Sequence, residues 1–483
     1  MFARRYFITR NRFIRLILSS FLLLGVLSFI FSQISGESPS FPSIIRSHSG
    51  SHGPSYKYLN RLGAVPPNSE RKLVTTTNTS PNQALHAVMP NFKNKGKRPK
   101  ACFVSLIRNK ELDGMVHSIK LVQRRFNNKF KYPWIFLNDE EFTEEFKNGI
   151  REVLPNIEVR FGLISAEEWS LPDFIDLTKA EESRMKMRNT IHGSSASYRY
   201  MCRYQSGYFF RHPLLDGYDW YWRVEPYINL CCDVPYDVFQ WMQDNEKVYG
   251  FVISILEYPE TIPTLWSTSM EFFYKYPEYV ADNNALEFIS DDGVSYNNCH
   301  FWSNFEIGNL NFFRSKAYTE YFDYLDQAGG FFYERWGDAP VHSIALAMML
   351  PRDKIHYFSD IGYYHPPRFN CPLDRDVYKE RRCTCPQRSD VTFRKGSCGT
   401  RWYDFMGLEK PKLWSHMREI DEREERRLAK EKQAGLQEEE GEEGGAEVEE
   451  NIEELSEEDR RFMEEDKMLL GRLPVQVEHK VED

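Results

Sequence analysis

Between residues 101 and 415 the apolar positions alternate between two rhythms. Residues 101–107 form a nearly continuous apolar run, the pattern of a strand buried on both faces. Helical spacing takes over at residues 111–126, where Leu112, Met115, Val116, Ile119, Leu121 and Val122 are apolar. A short strand at 134–137, a helix at 142–154 and a strand at 157–164 follow. Such alternation predicts a parallel sheet with right-handed crossovers and ligands outside the carboxyl ends of its strands. Arg108-Asn109-Lys110 closes the first strand, where it suits an anionic ligand, although a basic loop at a strand end is more often simply solvated.

Residues 197–211 read as a helix crowded with tyrosine and phenylalanine, mostly core by its spacing. Tyr221, Trp222 and Val224 then make a short strand that ends in Glu225-Pro226, the proline breaking the ladder. Residues 234–242 look helical and 248–255 extended; 261–298 carry little pattern. Glu306 stands among Trp302, Phe305, Ile307 and Leu310, and a carboxylate in apolar surroundings is costly unless paired or functional. Ser315 caps a helix running to about residue 327, stopped by Gly329-Gly330. Asp338 precedes an apolar helix and reads best as a capping residue; His342 on that helix reads best as a satisfied core histidine. Residues 355–365 form the last strand, ending in His365. Two strands therefore end in metal-type side chains, Glu225 and His365. A carboxylate and one imidazole suit Mn²⁺ or a similar ion that completes its shell with water and substrate phosphates.

Outside this body the chain changes character. Arg4, Arg5, Arg10, Arg12 and Arg15 precede a mainly apolar run at 16–34. That length favours a retained anchor over a cleaved signal peptide, with residues 1–15 cytosolic and everything beyond lumenal. Residues 35–100 are rich in Ser, Pro, Asn and Thr and read as a flexible stem carrying the chain's one glycosylation sequon, at Asn78. The domain 101–416 holds all nine cysteines; in an oxidising lumen they favour disulfides over zinc, since paired Cys-x-x-Cys knuckles are lacking. Their odd number leaves at least one thiol outside any internal pair. The tail 417–483 carries 11 Lys/Arg against 25 Asp/Glu, a net −14 in a chain whose total is −9. The acidic balance therefore belongs to a solvated, disordered tail. No basic stripe or RNA-binding aromatic motif points to nucleic acid.

Six segments carry a family resemblance: SLIRNKEL, YRYMCRYQSGYFFRHPLL, YWRVEP followed by CD, SNFEIGNLNFFRSKAY, GGFFYERWGDAPVHSIALAMML and IHYFSDIGYYHPP. In this order, through about residues 100–410, the chain resembles the fungal KTR-type α-1,2-mannosyltransferases, glycosyltransferase family 15. The resemblance implies a GT-A-like mixed α/β fold, a GDP-mannose donor, Mn²⁺, a mannosylated N- or O-linked glycan as acceptor, and retention at the anomeric carbon. It implies a type II Golgi membrane protein. By motif, the metal ligands fall on Glu225 and His365, the proposed nucleophile on Glu306, and a further acid near the reaction centre on Asp338. Arg108 and Tyr198 match positions lining the donor and acceptor site. Tyr227 departs from the pattern, standing where a smaller or polar residue is expected. Two rivals are a metal-dependent hydrolase, which lacks a clustered motif, and a fold-retaining but inactive lectin-like or scaffolding member.

Overall fold

The structure is a computed structural model that describes residues 96–415 together with 417, 423, 426 and 427. The predicted cytosolic tail, the anchor at 16–34, nearly all of the stem and nearly all of the acidic tail lie outside the described residues. Among the described residues no helix is long and apolar enough to cross a membrane.

The chain begins as its pattern predicts. Strand β1 (Ala101–Leu106) leads to helix α1 (Leu112–Val122), β2 (Trp134–Asn138), α2 (Glu144–Val153) and β3 (Val159–Leu163). In α2 the Thr143 hydroxyl accepts from the Phe146 N–H as an N-cap, and Phe146 and Ile150, four residues apart, turn inward. Helices α3 (Leu177–Lys186) and α4 (Ala196–Gly207) follow, then β4 (Trp220–Arg223) and β5 (Asn229–Leu230). The second half runs through α5 (Val238–Asp244), β6 (Tyr249–Phe251), β7 (Ser254–Leu256), α6 (Leu265–Lys275), β8 (Cys299–Phe301), β9 (Ile307–Asn309), α7 (Lys316–Ala328), α8 (Asp338–Met349), β10 (Ile355–Tyr357), β11 (Tyr363–His365), β12 (Arg368–Asn370) and α9 (Gly399–Met406). Ser315 caps α7, and Gly329 ends it in the left-handed conformation at φ 75°.

Seven strands form the main sheet in the order β10-β6-β9-β4-β1-β2-β3. The sheet is mixed, not wholly parallel as the alternation predicts: β9 runs antiparallel between β4 and β6. Successive residues face opposite cores. Phe103, Trp134, Trp220 and Trp222 pack on one side with Met115, Ile119 and Phe239, while Cys102, Val104 and Tyr221 pack on the other with α4, α7 and α8. The Phe103 and Trp134 rings stack at 4.5 Å, a pairing that adds about 0.5–1.5 kcal/mol beyond area burial.

Three sequence expectations change. The single strand expected at 355–365 is two: β10 joins the main sheet beside β6, and β11 joins a small sheet with β12 and β5. The turn between them buries Asp360 against Arg381 at 3.2 Å. The extended run at 248–255 is likewise split, with β7 outside the main sheet and paired with β8. Within 261–298, α6 buries Leu265, Ser269, Met270, Phe272 and Phe273; its aromatic-rich, polar-interrupted sequence hides the helical period.

Three disulfides form, Cys232–Cys383, Cys299–Cys398 and Cys371–Cys385. All four cysteines of the 371–398 cluster are thus oxidised, and Cys102, Cys202 and Cys231 remain as buried thiols. Beside one bridge, burial pushes the Asp390 carboxyl up to about 7, against the N–H donors of Cys371 and Thr392. A carboxyl raised above its unfolded value binds its proton more tightly when folded, so stability declines as pH rises from about 4 to about 7 and is flat above. Asp390→Asn should flatten that part of a melting-temperature profile; an unchanged slope would show that Asp390 ionises normally.

Candidate active site

Arg223 is the centre of the site. It is the last residue of β4, and alternation along the strand turns its side chain away from the tryptophan face, towards α8. Its Nη1 donates to Asp338 Oδ2 at 2.6 Å, its Nη2 donates to Glu225 Oε1 at 2.5 Å, and Glu306 Oε1 lies 4.0 Å from Nη1. One guanidinium is therefore shared among three carboxylates. Burial would lower its pKa, but the three carboxylates hold it firmly protonated.

The antiparallel strand explains why Glu306 joins this group. Trp222 pairs with Ile307, and the Arg223 N–H donates to the Glu306 carbonyl at 2.9 Å. A strand running backwards starts at the edge where its parallel neighbours end, so the residue just before β9 meets the residue ending β4. Glu306 is fully buried, at 0% exposure. Its Oε2 accepts from the Tyr249 hydroxyl at 3.0 Å and lies 3.1 Å from His342 Nδ1. Its Oε1 has no hydrogen-bond partner.

Asp338 is not a capping side chain. Gly337 occupies the N-cap of α8 and makes no side-chain cap, while Asp338 Oδ2 accepts from both Arg223 and the Ser303 hydroxyl, the latter at 2.7 Å. Burial raises its carboxyl; Arg223 and His342 outweigh this and hold it below the usual range. His342 is a buried histidine, as expected, but it also orients Glu306: its Nε2 lies 3.1 Å from the Gln205 carbonyl, and its other nitrogen faces the carboxylate.

Glu225 and His365 meet at the solvent side of this cluster. The His365 Nε2–H donates to Glu225 Oε2 at 3.1 Å, and their side chains are 23% and 25% exposed respectively. The His365 ring stands edge-on to Trp302 at 5.0 Å. Burial raises the Glu225 carboxyl, but Arg223 and His365 bring it down to about 2. Among the described residues no three His, Cys, Asp or Glu side chains cluster as metal ligands do. As metal ligands the pair would number two. It fits an ion that draws its remaining ligands from water and phosphate, and three carboxylates around one guanidinium leave the surroundings negative.

Arg108 reaches the start of α4, beside Tyr198. The exposed Arg108 side chain, just beyond β1, donates to the Ser197 hydroxyl, next to Tyr198 at the start of α4. The Tyr198 ring stacks on His192 at 4.4 Å, with the Arg335 guanidinium 5.3 Å from its centre. Burial raises the Tyr198 phenol, with Cys202, Asp338 and Glu257 pushing in the same direction and Arg335 opposing them. Of the six residues singled out in the sequence, Glu225, Asp338, Glu306 and His365 gather around Arg223, whereas Arg108 and Tyr198 make their contacts at the start of α4. Sequence reasoning missed Arg223, Tyr249 and Ser303. An arginine between two apolar residues of a tryptophan-rich strand was the available signal, because charge is rarely buried unpaired.

Comparison with known proteins decides what this arrangement belongs to. Residues 64–407 match the family described as Glycolipid 2-alpha-mannosyltransferase. The chain belongs to this family. It is 61% identical to the Glycolipid 2-alpha-mannosyltransferase of Saccharomyces cerevisiae over 334 residues, 69% of this chain and 75% of that protein. Among solved structures it resembles the S. cerevisiae mannosyltransferase Ktr4p in complex with GDP, at 38% identity and a TM-score of 0.57, over 65% of this chain and 86% of that one. It also resembles the Mn/GDP form of core-mannan synthase A (CmsA/Ktr4) from Aspergillus fumigatus, at 37% identity and a TM-score of 0.59, over 67% and 89%. The mixed α/β architecture is that of a glycosyltransferase, and the chain is a glycosyltransferase of the mannosyltransferase family. With the whole polar cluster of the site present, the inactive scaffolding alternative finds no support here.

Proposed function

We propose that this chain is a Mn²⁺-dependent, retaining α-1,2-mannosyltransferase of GT-A type that moves mannose from GDP-mannose to a mannose residue of an N- or O-linked glycan. The observation that carries the reading is the joined cluster: a half-buried carboxylate–imidazole pair coupled through Arg223 to two buried carboxylates. Family membership supports the donor and the reaction, and the GDP and Mn/GDP forms of the two related structures support nucleotide and metal.

Glu225 and His365 would hold the cation, whose charge, when bound, offsets the negative charge that builds on the diphosphate as GDP leaves. Arg108, at the carboxyl end of β1, adds a second positive group for the phosphates. Tyr198 and Asp338 would exchange hydrogen bonds with mannose hydroxyls. Glu306 supplies negative charge beneath the forming oxocarbenium. Two routes to retention fit that placement. In one, Glu306 Oε1 bonds to the anomeric carbon as GDP departs, and the acceptor oxygen then displaces it. In the other, the acceptor attacks from the face GDP leaves, and Glu306 acts through its charge alone. Full burial of Glu306, with Oε2 tied to Tyr249 and His342, supports the second.

The arginine-flanked apolar run at 16–34 supports a single-pass type II Golgi protein with this domain in the lumen. Transfer of labelled mannose from GDP-mannose to α-methyl mannoside and oligomannose acceptors tests the function. Transfer is expected with Mn²⁺ and is expected to fall to background in EDTA. Full transfer in EDTA would remove the metal reading. Donor hydrolysis without transfer to any acceptor would instead favour the hydrolase.

A further inference from the structure

Glu225 leaves β4 through Pro226 and Tyr227, and Tyr227 lies in the left-handed region at φ 59°. That conformation is strained for a bulky aromatic residue, and such strain persists where surrounding contacts over-determine it. One face of α1 supplies contacts here. The Tyr227 N–H donates to the Gly114 carbonyl at 3.0 Å. Its ring lies so close over Gly114 that a Cβ there would stand 2.4 Å from Tyr227 Cε2. Ser118, one turn on, donates its hydroxyl to the Gly114 carbonyl at 3.1 Å and accepts the Ile228 N–H at 3.0 Å. His117 Nε2–H donates to Asn229 Oδ1 at 2.6 Å. Asn229 and Leu230 then pair as β5 with Tyr364 and Tyr363 of β11, whose last residue is His365. The adjoining face of α1 is anchored in the core by Met115, Ile119 and Val122.

We propose that Gly114, Ser118 and Tyr227 form a brace that sets the placement of Glu225 and His365 and thereby the affinity for the divalent cation. They are positioning residues, not ligands. The proposal rests on the reading of Glu225 and His365 as the metal pair. Gly114 is required because only a residue without a side chain leaves room for the tyrosine ring. Tyr227 is in turn held by that socket, although 41% of it is exposed. Outer contacts that orient metal ligands typically change affinity by about 10- to 100-fold when removed, whereas a simple loop cover would change only stability.

The test is Mn²⁺ binding to the GDP-loaded protein by calorimetry, with melting temperature measured in parallel. Gly114→Ala drives a methyl into the Tyr227 ring and is expected to weaken Mn²⁺ binding about tenfold, with metal-free GDP binding unchanged. Tyr227→Gly is expected to weaken it less, because glycine keeps the N–H and adopts the positive φ freely. In the double variant the ring is gone and the methyl has space, so affinity should match Tyr227→Gly alone. Unchanged Mn²⁺ affinity in Gly114→Ala, or a double variant whose losses simply add, would overturn the brace. Should Gly114→Ala fail to fold, Ser118→Ala reports instead: it removes the bridge to Ile228 without adding an atom, and unchanged affinity there counts against the proposal. Glu225→Gln, measured alongside, separates the two readings. If it too leaves Mn²⁺ binding intact, the metal assignment itself has failed; if it alone weakens binding, only the brace has.

Discussion

Glu306→Gln is expected to fold and bind GDP with Mn²⁺ as the parent protein does, yet to transfer mannose slower on the order of 10³-fold, or ~4 kcal/mol in activation free energy. The shape is preserved. A glutamine oxygen can still accept from the Tyr249 hydroxyl, and the amide nitrogen then takes the place of Oε1, which has no hydrogen-bond partner. What disappears is a negative charge in a site closed to water. That charge interacts weakly with a neutral mannosyl group in the ground state and strongly with the positive charge of the transition state, so the loss should fall on kcat and not on binding. Calorimetry with GDP and Mn²⁺, beside labelled-mannose transfer, checks both halves. Near-normal transfer would dismiss Glu306 as the catalytic carboxylate. Lost nucleotide binding in a folded protein would make it a binding residue and turn attention to Asp338.

The largest effect on stability is expected at Arg223. Arg223→Met keeps most of the side-chain volume and removes the one guanidinium shared by Glu225, Asp338 and Glu306. Two of those carboxylates are almost wholly enclosed, Glu306 at 0% and Asp338 at 5% exposure. Leaving buried charge without its partner costs about 3–5 kcal/mol, a large fraction of a typical domain's stability. Chemical denaturation at neutral pH should show that loss. Lowering the pH should recover part of it as the orphaned carboxylates take up protons. A variant as stable as the parent would mean that the carboxylates already share protons among themselves and do not depend on Arg223.

The candidate site is partly legible in the amino-acid sequence. Glu225 and His365 stand out because each ends an apolar run beside a proline, and Glu306 because a carboxylate among aromatics needs a reason to be there. Asp338 points the wrong way. Its place before an apolar helix has the form of an N-cap, and no local rule announces that Gly337 takes that role while the carboxylate turns to Arg223 and Ser303. Arg223 escapes notice because a strand's pattern is read from its apolar members. The partners that make one arginine a hub lie 2, 83 and 115 residues away along the chain.

By itself the sequence determined whatever depends on near neighbours. The β1-α1-β2-α2-β3 alternation, the cap at Ser315, the stop at Gly329 and the preference for disulfides over zinc all follow from residues within a few positions or from composition. Tertiary structure alone decided that β9 runs antiparallel between β4 and β6, and so that Glu306 meets Arg223. It decided that the run at 355–365 breaks between two sheets, so that β11 carries His365 to Glu225. It also decided that the socket at Gly114 receives the ring of Tyr227. The physical reason is common to all three. Hydrophobic period and capping are short-range signals written along the chain, whereas strand order, strand direction and the pairing of buried charges are settled only when distant segments compete for the same partners.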